Sequence, residues 1–538
     1  MKNLTRFTAL LALMAATVAF GGSRSWSATN DAHVPADIQA VIDQPLYRGA
    51  TWGLRVVSSG KVLIDLRPRD KFFIGSVRKI FSVGELLNQV GPRHTYDTPV
   101  YRRGRIDRAG ILQGDLIMVA SGDLTMGGRI NPDGTVAITN YDHNEADSLG
   151  NAVLTAPDPL AGYVALARQV AASGIKEIVG NVIIDDRLFR PFNFRGEFDV
   201  KPIFVNDDVI DLTINPSAPG TSASVKWRPQ SAALRVSNQL MTSPSGSRYT
   251  LKLDPEFPPD IGKPDCMAAI TGQLPADFVP PLTNRLPLVQ TIRIVAPSNY
   301  ARTVFIEALA AAGIKIDAPA VARNPIQLLP PRNSYRAEMK VAELKGMPYS
   351  DDAKLILKVS YNIGADTSLM LFGLTQGVDN MRDALRVERK NLAVRYGVPD
   401  GEYFFVDGSG GGATTATNRA VTTMLAALTT RSTFPVFFDS LPILGVDGSL
   451  GFVTDFRSDP SLAGAAGQVR AKTGTYAQGS AAGIVLKGQA FGGYIKARSG
   501  KRLIYELVVN NVKVGGLKDL IQVFQDEGRI SAILWREN

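Results

Sequence analysis

Apolar and polar positions follow two rhythms along this chain, one helical and one alternating. In FFIGSVRKIFSVGELL, residues 72 to 87, Val77, Ile80, Phe81, Gly84 and Leu87 recur at the spacing of one buried helical face. The pattern predicts a helix whose first turn carries Ser76, with Lys79 one turn on. Just upstream, WGLRVVSSGKVLIDLR is rich in Val, Leu and Ile and is broken at Ser58-Ser59-Gly60. That predicts two strands joined as a hairpin. In ALARQVAASGIKEIVGNVIIDD a helix should stop at Gly174 before a strand. EALAAAGIKI ends a helix in the same Gly-Ile-Lys, but both stretches are short and Ala-rich, so no repeat is inferred. The closing segment, GGLKDLIQVFQDEGRISAILWREN, places Leu520, Ile521 and Phe524 on one face, as in a helix that covers a sheet.

Between about residues 100 and 330 the pattern changes to strand-like runs separated by turns such as NPDGT, APDPL and EFPPDIGKPD. LLPPRN, residues 328 to 333, reads as a linker, and a more regular alternation of helix and strand follows. At 538 residues the chain exceeds one compact core, and length alone suggests three or four domains. Its 45% hydrophobic and 20% charged residues are those of a folded globular protein rather than a disordered one.

The N-terminus adds a location. MKNLTRFTALLALMAATVAFGG sets Lys2 and Arg6 before an apolar run from Phe7 to Phe20, and the small residues of GGSRSWSA follow. This reads as a secretory leader over residues 1–28, with a retained anchor as the weaker alternative, because the run is short for a membrane span. The expected location is therefore outside the cytoplasm, in the periplasm or cell-wall space. The single cysteine, Cys266, allows no internal disulfide. The formal charge of +9 suits anionic surroundings such as wall polymers or lipid head groups, so peripheral membrane association is an expectation, whereas export argues against nucleic acid.

The candidate chemistry starts from Ser76 and Lys79. Ser-x-x-Lys occurs three times, and two occurrences are discounted by context. Ser58 and Lys61 straddle the hairpin turn, and Ser173 before Lys176 sits at a helix C-terminus, the wrong end to stabilise an oxyanion. Ser76 would stand at a helix N-terminus, where free N–H groups and the positive dipole end are available. Alone, the segment reads more readily as a serine N-cap beside a solvated lysine than as a catalytic pair. Two further motifs change that balance. Ser360-Tyr361-Asn362 is the only Ser-x-Asn in the chain, and Lys472-Thr473-Gly474 the only Lys-Thr-Gly. Ser-x-x-Lys, Ser-x-Asn and Lys-Thr-Gly, in that order, form the set of β-lactamases and penicillin-binding proteins. Lys-Thr-Gly is expected to begin a strand running through Ala481 to Leu486.

With these motifs the sequence resembles the class C low-molecular-mass penicillin-binding proteins, D-alanyl-D-alanine carboxypeptidases and endopeptidases. The 284 residues from Ser76 to Ser360 and the 112 from Ser360 to Lys472 suit that branch. So do GPRHTYDTPV, ASGDLT, VDGSG at 406 to 410 and LPILGVDGSL at 441 to 450. The resemblance implies an α/β fold, a β-lactamase/transpeptidase-like domain interrupted by large inserted mostly-β or mixed domains. The expected division is 29–98 and 330–538 for that domain and 99–329 for the insertions. It further implies Ser76 as nucleophile, Lys79 as base and Ser360 as proton relay. Desolvation and the nearby Lys472 would favour a neutral Lys79. Asn362 would bind the acyl-side amide and Lys472 with Thr473 the terminal carboxylate, and Gly474 and Thr475 complete the substrate-binding set. The N–H groups of Ser76 and Thr475 would hold the oxyanion. The implied partners are peptidoglycan stem peptides, with β-lactams as inhibitors, and no metal or organic cofactor is implied.

The sequence departs from the family pattern at Gly75, at Arg78, in IGAD after Ser-x-Asn, and in DGSGGGATT. None of these removes a catalytic group. Three histidines, His33, His94 and His143, with no Gly-x-Ser-x-Gly or His-Glu-x-x-His, disfavour a Ser-His-Asp hydrolase and a metalloenzyme. The rival readings are a catalytically weak wall-binding scaffold of the same fold and a β-lactamase.

Overall fold

The computed structural model describes residues 34–146, 150–480 and 483–538. The expected leader at 1–28 and His33 lie outside the described residues. No helix among those described is long and apolar enough to cross a membrane. The chain divides into two compact units, one formed by residues up to Asn88 together with Leu385–Asn538, the other by Gln89–Ala384.

The first unit is built on an antiparallel sheet in the order Lys61–Leu66, Thr51–Ser58, Arg502–Asn510, Gly483–Lys496 and Val469–Ser480, with Val512–Val514 beside Gly483–Lys496. The hairpin expected at Ser58-Ser59-Gly60 forms as read. Ser59 and Gly60 take φ of 48° and 77°, the left-handed conformations a tight hairpin turn needs. The helix Leu517–Glu537 covers one face, where Phe524 packs 5.2 Å from the Phe452 ring and 6.2 Å from the Phe491 ring. Leu520, Ile521 and Phe524 are half-buried, as a helix covering a sheet requires.

The helix Asn418–Leu428 lies over the other face, where Tyr494 Oη donates to the Leu425 carbonyl. The helix predicted after Ser76 runs from Lys79 to Val90 behind a 3₁₀ turn at Gly75–Arg78. Its apolar face is buried as expected, but so is every other residue from Lys79 to Leu87. It is a central helix enclosed on all sides, so the polar side chains among its residues need protein partners.

The second unit is mixed. One sheet runs Lys315–Ile316, Glu177–Ile178, Ile111–Val119, Thr98–Ile106 and Lys340–Leu344, with Val182–Asp185 parallel to Ile111–Val119. Two three-stranded sheets join it, one centred on Val209–Asn215 and one on Met267–Pro275. The two Gly-Ile-Lys stretches prove to be structurally related. Helices Ala161–Ala172 and Pro297–Ala311 pack together, and the strands after them pair in parallel, Lys315 with Glu177 and Ile316 with Ile178. Large inserted β-rich and mixed structure is therefore present. Helices Tyr349–Val359 and Asn362–Thr375 end this unit's pattern before Ala384.

Candidate active site

The short strand Lys71–Phe73 leads into the turn at Gly75–Arg78, which is closed by the Val77 N–H donating to the Ile74 carbonyl at 3.2 Å. Gly75 takes φ +49°, a conformation that side-chain-bearing residues rarely adopt. Ser76 is half-buried and presents its hydroxyl, while Lys79 is wholly enclosed, with no solvent-exposed surface. Lys79 Nζ lies 2.6 Å from Ser76 Oγ and donates to the Ser409 carbonyl at 3.0 Å. An amine taken out of water needs such acceptors, and these also fix where its nitrogen points.

Lys472, Thr473, Gly474 and Thr475 lie within the strand Val469–Ser480 rather than at its start. The strand-like run expected onward to Leu486 is a hairpin: Gly483–Lys496 returns antiparallel, pairing Lys472 with Gly492 and Thr475 with Gln489. Ala481 lies outside the described residues. The backbone of this strand presses against the turn that carries Ser76. A Cβ at Gly474 would stand 1.9 Å from the Ile74 carbonyl oxygen, and one at Gly75 would stand 2.7 Å from Thr475 N. Only glycine at both positions permits so close an approach, and it brings the Thr475 amide beside the turn that holds Ser76. Lys472 is fully buried and its Nζ donates to the Thr473 carbonyl at 2.8 Å. Thr473 Oγ1 and Ser449 Oγ are 2.7 Å apart, and Thr475 Oγ1 donates to Gln489 Oε1 at 2.7 Å. The first unit thus brings together Ser76, Lys79 and the whole Lys-Thr-Gly-Thr segment.

Ser360 and Asn362 belong to the second unit. Ser360 caps the helix Tyr349–Val359 in the left-handed conformation, φ 64° and ψ 32°, and the next helix begins at Asn362. Ser-Tyr-Asn therefore spans the joint between two helices. A serine held there is a local strain of the kind that gathers at functional sites. Asn362 Nδ2 donates to Glu145 Oε1 at 3.3 Å. Just before Glu145, Asp142 and His143 join Asp207 in a buried cluster with the spacing of metal ligands. The guanidinium of Arg129 reaches all three, at 2.7 and 2.8 Å to Asp142, 2.6 Å to His143 Nε2, and in direct contact with Asp207. Arg129 already pairs with both carboxylates of this cluster.

Sequence reasoning did not single out Ser409 or Ser449. Both lie in Asp-Gly-Ser stretches, VDGSG and GVDGSL, and that shared triplet was the signal available.

Comparison with known proteins bears on the family and the fold. A D-alanyl-D-alanine carboxypeptidase of Actinomadura sp. (strain R39) is 24% identical over 300 residues, 52% of this chain and 47% of that relative. The chain therefore aligns with about half of that relative's length. The fold is similar to that of penicillin binding protein 4 from Haemophilus influenzae, with a TM-score of 0.66 and 16% identity over 93% of this chain and 98% of that one. A second structure of that protein, complexed with a β-lactam, gives a TM-score of 0.65 at 16% identity over 93% of this chain and 99% of that one. At such identity this likeness concerns the fold, a transpeptidase-like architecture with extra domains. The model of the D-Ala-D-Ala carboxypeptidase 3 (S13) family matches residues 34–524, and the chain belongs to that family.

Proposed function

We propose that the chain is a serine-type D-alanyl-D-alanine carboxypeptidase, with endopeptidase action on cross-links, that hydrolyses peptidoglycan stem peptides through an acyl-enzyme on Ser76. The observation that carries this reading is the fully buried Lys79, whose Nζ lies 2.6 Å from the Ser76 hydroxyl. Beside it runs the Lys-Thr-Gly strand, packed backbone to backbone on the nucleophile turn.

In this reading Lys79 takes the hydroxyl proton as Ser76 Oγ attacks the carbonyl carbon of the penultimate D-alanine. The amides of Ser76 and Thr475 hold the oxyanion, and each such donor is typically worth about 10²–10³ in rate. Ser360 relays a proton to the nitrogen of the departing D-alanine, and the C–N bond breaks. Asn362 binds the acyl-side amide, and Lys472 and Thr473 bind the terminal carboxylate. Water then cleaves the ester and restores the serine. The roles of Ser360 and Asn362 rest on the motif order. In that order residues 330–384 work with the transpeptidase-like part, although they are compact with the inserted region.

A protein that acts on peptidoglycan works outside the cytoplasm, and the leader-like N-terminus agrees with the periplasm or cell-wall space. A β-lactam, which mimics the D-Ala-D-Ala end, acylates the same serine and stalls.

The test is the intact mass of the purified protein after exposure to benzylpenicillin, beside Ser76→Ala, with D-alanine release from a pentapeptide measured in parallel. A long-lived one-to-one adduct absent from the variant, together with D-alanine release, is the expected result. No adduct and no hydrolysis would instead indicate a wall-binding scaffold. Antibiotic destroyed through a fleeting adduct would indicate a β-lactamase.

A further inference from the structure

Three consecutive carbonyls are each held by a different side chain from the nucleophile turn and its helix. Arg78 Nε donates to the Asp407 carbonyl at 2.9 Å, Ser82 Oγ to that of Gly408 at 2.7 Å, and Lys79 Nζ to that of Ser409 at 3.0 Å. Arg78 ends the turn and Ser82 lies in the first turn of the helix, and they grip neighbouring peptide groups. The loop is also stiffened from within. The Asp407 carboxylate accepts from the N–H groups of Ser409, Gly410 and Gly411, at 2.7 Å for Gly410. A Cβ at Gly410 would stand 2.0 Å from the Gly75 carbonyl oxygen, so the loop lies directly on the turn before Ser76.

Among the described residues Arg78 is, with Arg302, one of the two largest fully buried side chains. Its Nη2 meets Glu388 Oε2 at 2.6 Å, and its guanidinium lies 4.1 Å from the centre of the Phe405 ring. Behind it, Asn391 Nδ2 donates to Glu85 Oε1 at 2.6 Å. Burial, and next the charge of Glu388, holds the Glu85 carboxyl well above the usual range. A buried ion pair of this kind is weak as a source of stability, since apolar replacements often match it. Its yield here is geometric. The guanidinium is pinned by Glu388 and Phe405, it fixes Asp407, and Asp407 leads two residues on to the carbonyl that holds Lys79.

We infer that Arg78 is a positioning residue that sets the Lys79 amine against Ser76 through the Asp407–Gly408–Ser409 carbonyls, with Ser82 as the second clamp. The inference rests on the serine-hydrolase reading above. Misplacing a reacting group by about 1 Å can cost on the order of 10²-fold in rate, whereas substrate binding does not depend on where the base sits.

The experiment measures benzylpenicillin acylation of the full chain by rapid-mixing kinetics, which separates the binding constant from the acylation rate constant. Wild type, Ser76→Ala, Arg78→Met, Arg78→Lys and Ser82→Ala are compared, with thermal melting followed alongside. The acylation rate constant should fall about 10- to 100-fold in Arg78→Met and several-fold in Ser82→Ala, with the binding constant unchanged. Arg78→Lys, which keeps the charge for Glu388, should fall between Arg78→Met and wild type. Should Arg78→Met fail to fold, Ser82→Ala and Arg78→Lys decide the matter. Acylation rate constants within twofold of wild type in the folded variants would overturn the inference while leaving the reading of Ser76 intact. An unacylated wild type would overturn that reading, and this inference with it.

Discussion

Gly75 and Thr475 meet backbone to backbone, close enough that a single added methyl on Gly75 would sit 2.7 Å from the Thr475 nitrogen. On the proposed reading, this contact joins the turn that carries the nucleophile to the strand that supplies the second oxyanion amide. Gly75→Ala therefore has to push the two apart or strain a backbone held at φ +49°. The variant should acylate about 10²-fold more slowly, the loss expected for one oxyanion donor. Strain should cost about 1–3 kcal/mol of stability. Acylation kinetics with benzylpenicillin and thermal melting together check both numbers.

Lys79→Met removes the amine between Ser76 Oγ and the Ser409 carbonyl. Acylation should fall by about 10²–10⁴-fold if Lys79 is the general base, as proposed. The Ser409 carbonyl loses that donor, at a net cost of about 0.5–1.5 kcal/mol. Intact mass after long incubation reads the first effect and denaturant unfolding the second.

Glu506 lies in one row with Lys472, because Lys472 pairs with Gly492 and Gly492 with Glu506. Residues opposite each other share a face, and Glu506 Oε2 lies only 2.3 Å from where a Cβ on Gly492 would be. The carboxyl is fully buried, neither oxygen has a hydrogen-bond partner, and burial holds its pKa well above the usual range. The folded protein therefore keeps a proton that the unfolded chain gives up above pH 4.5, so this group costs stability as pH rises from there. Glu506→Gln should raise the melting temperature at neutral pH and flatten its decline toward alkaline pH. Melting followed from pH 4 to 9 checks this, and a steeper decline in the variant would contradict it.

His143 behaves oppositely. Burial disfavours its charge, but Asp211 at 2.7 Å and Asp207 at 3.0 Å outweigh both burial and the opposing Arg129, and its pKa is raised to about 9. The stabilisation is complete below the unfolded value of 6.5 and is lost as pH climbs through about 9. A shift of that size corresponds to about 3 kcal/mol. The second unit should therefore melt at lower temperature between pH 6.5 and 9, and His143→Gln should lose most of this slope. Hydrogen exchange of the strand Val209–Asn215, which carries Asp211, reports it directly.

Much of this was legible before any coordinates. The Ser58-Ser59-Gly60 hairpin, the helix after Ser76 and the C-terminal covering helix follow from local pattern and turn chemistry, and they form as read. The ordered motifs pointed to Ser76, Lys79 and Lys472, and these three lie in the same unit. What local pattern cannot carry is the partner at a distance. The carbonyl that orients Lys79 belongs to Ser409, 330 positions along the chain, and a backbone carbonyl has no sequence signature. Arg78 read as a departure from a family pattern, because its meaning depends on Glu388, Phe405 and Asp407 arriving from elsewhere. The Gly-Ile-Lys stretches were too short to weigh alone, and only parallel pairing of Lys315 with Glu177 gives their similarity a structural sense.

The antiparallel sheet of the first unit also dictates an order of events in synthesis. The strand Thr51–Ser58 emerges early, yet its neighbour is Arg502–Asn510, and Ser58 Oγ reaches the Arg502 carbonyl across 444 positions. At roughly 5–20 residues per second the ribosome needs roughly 20–90 s to supply that partner. The intervening unit, Gln89–Ala384, is continuous and complete well before then. The unit that carries Ser76 thus folds last, and its early apolar hairpin waits unpaired on one edge through most of translation. A chain stalled or clipped a few dozen residues short would hold a finished second unit and no assembled turn around Ser76.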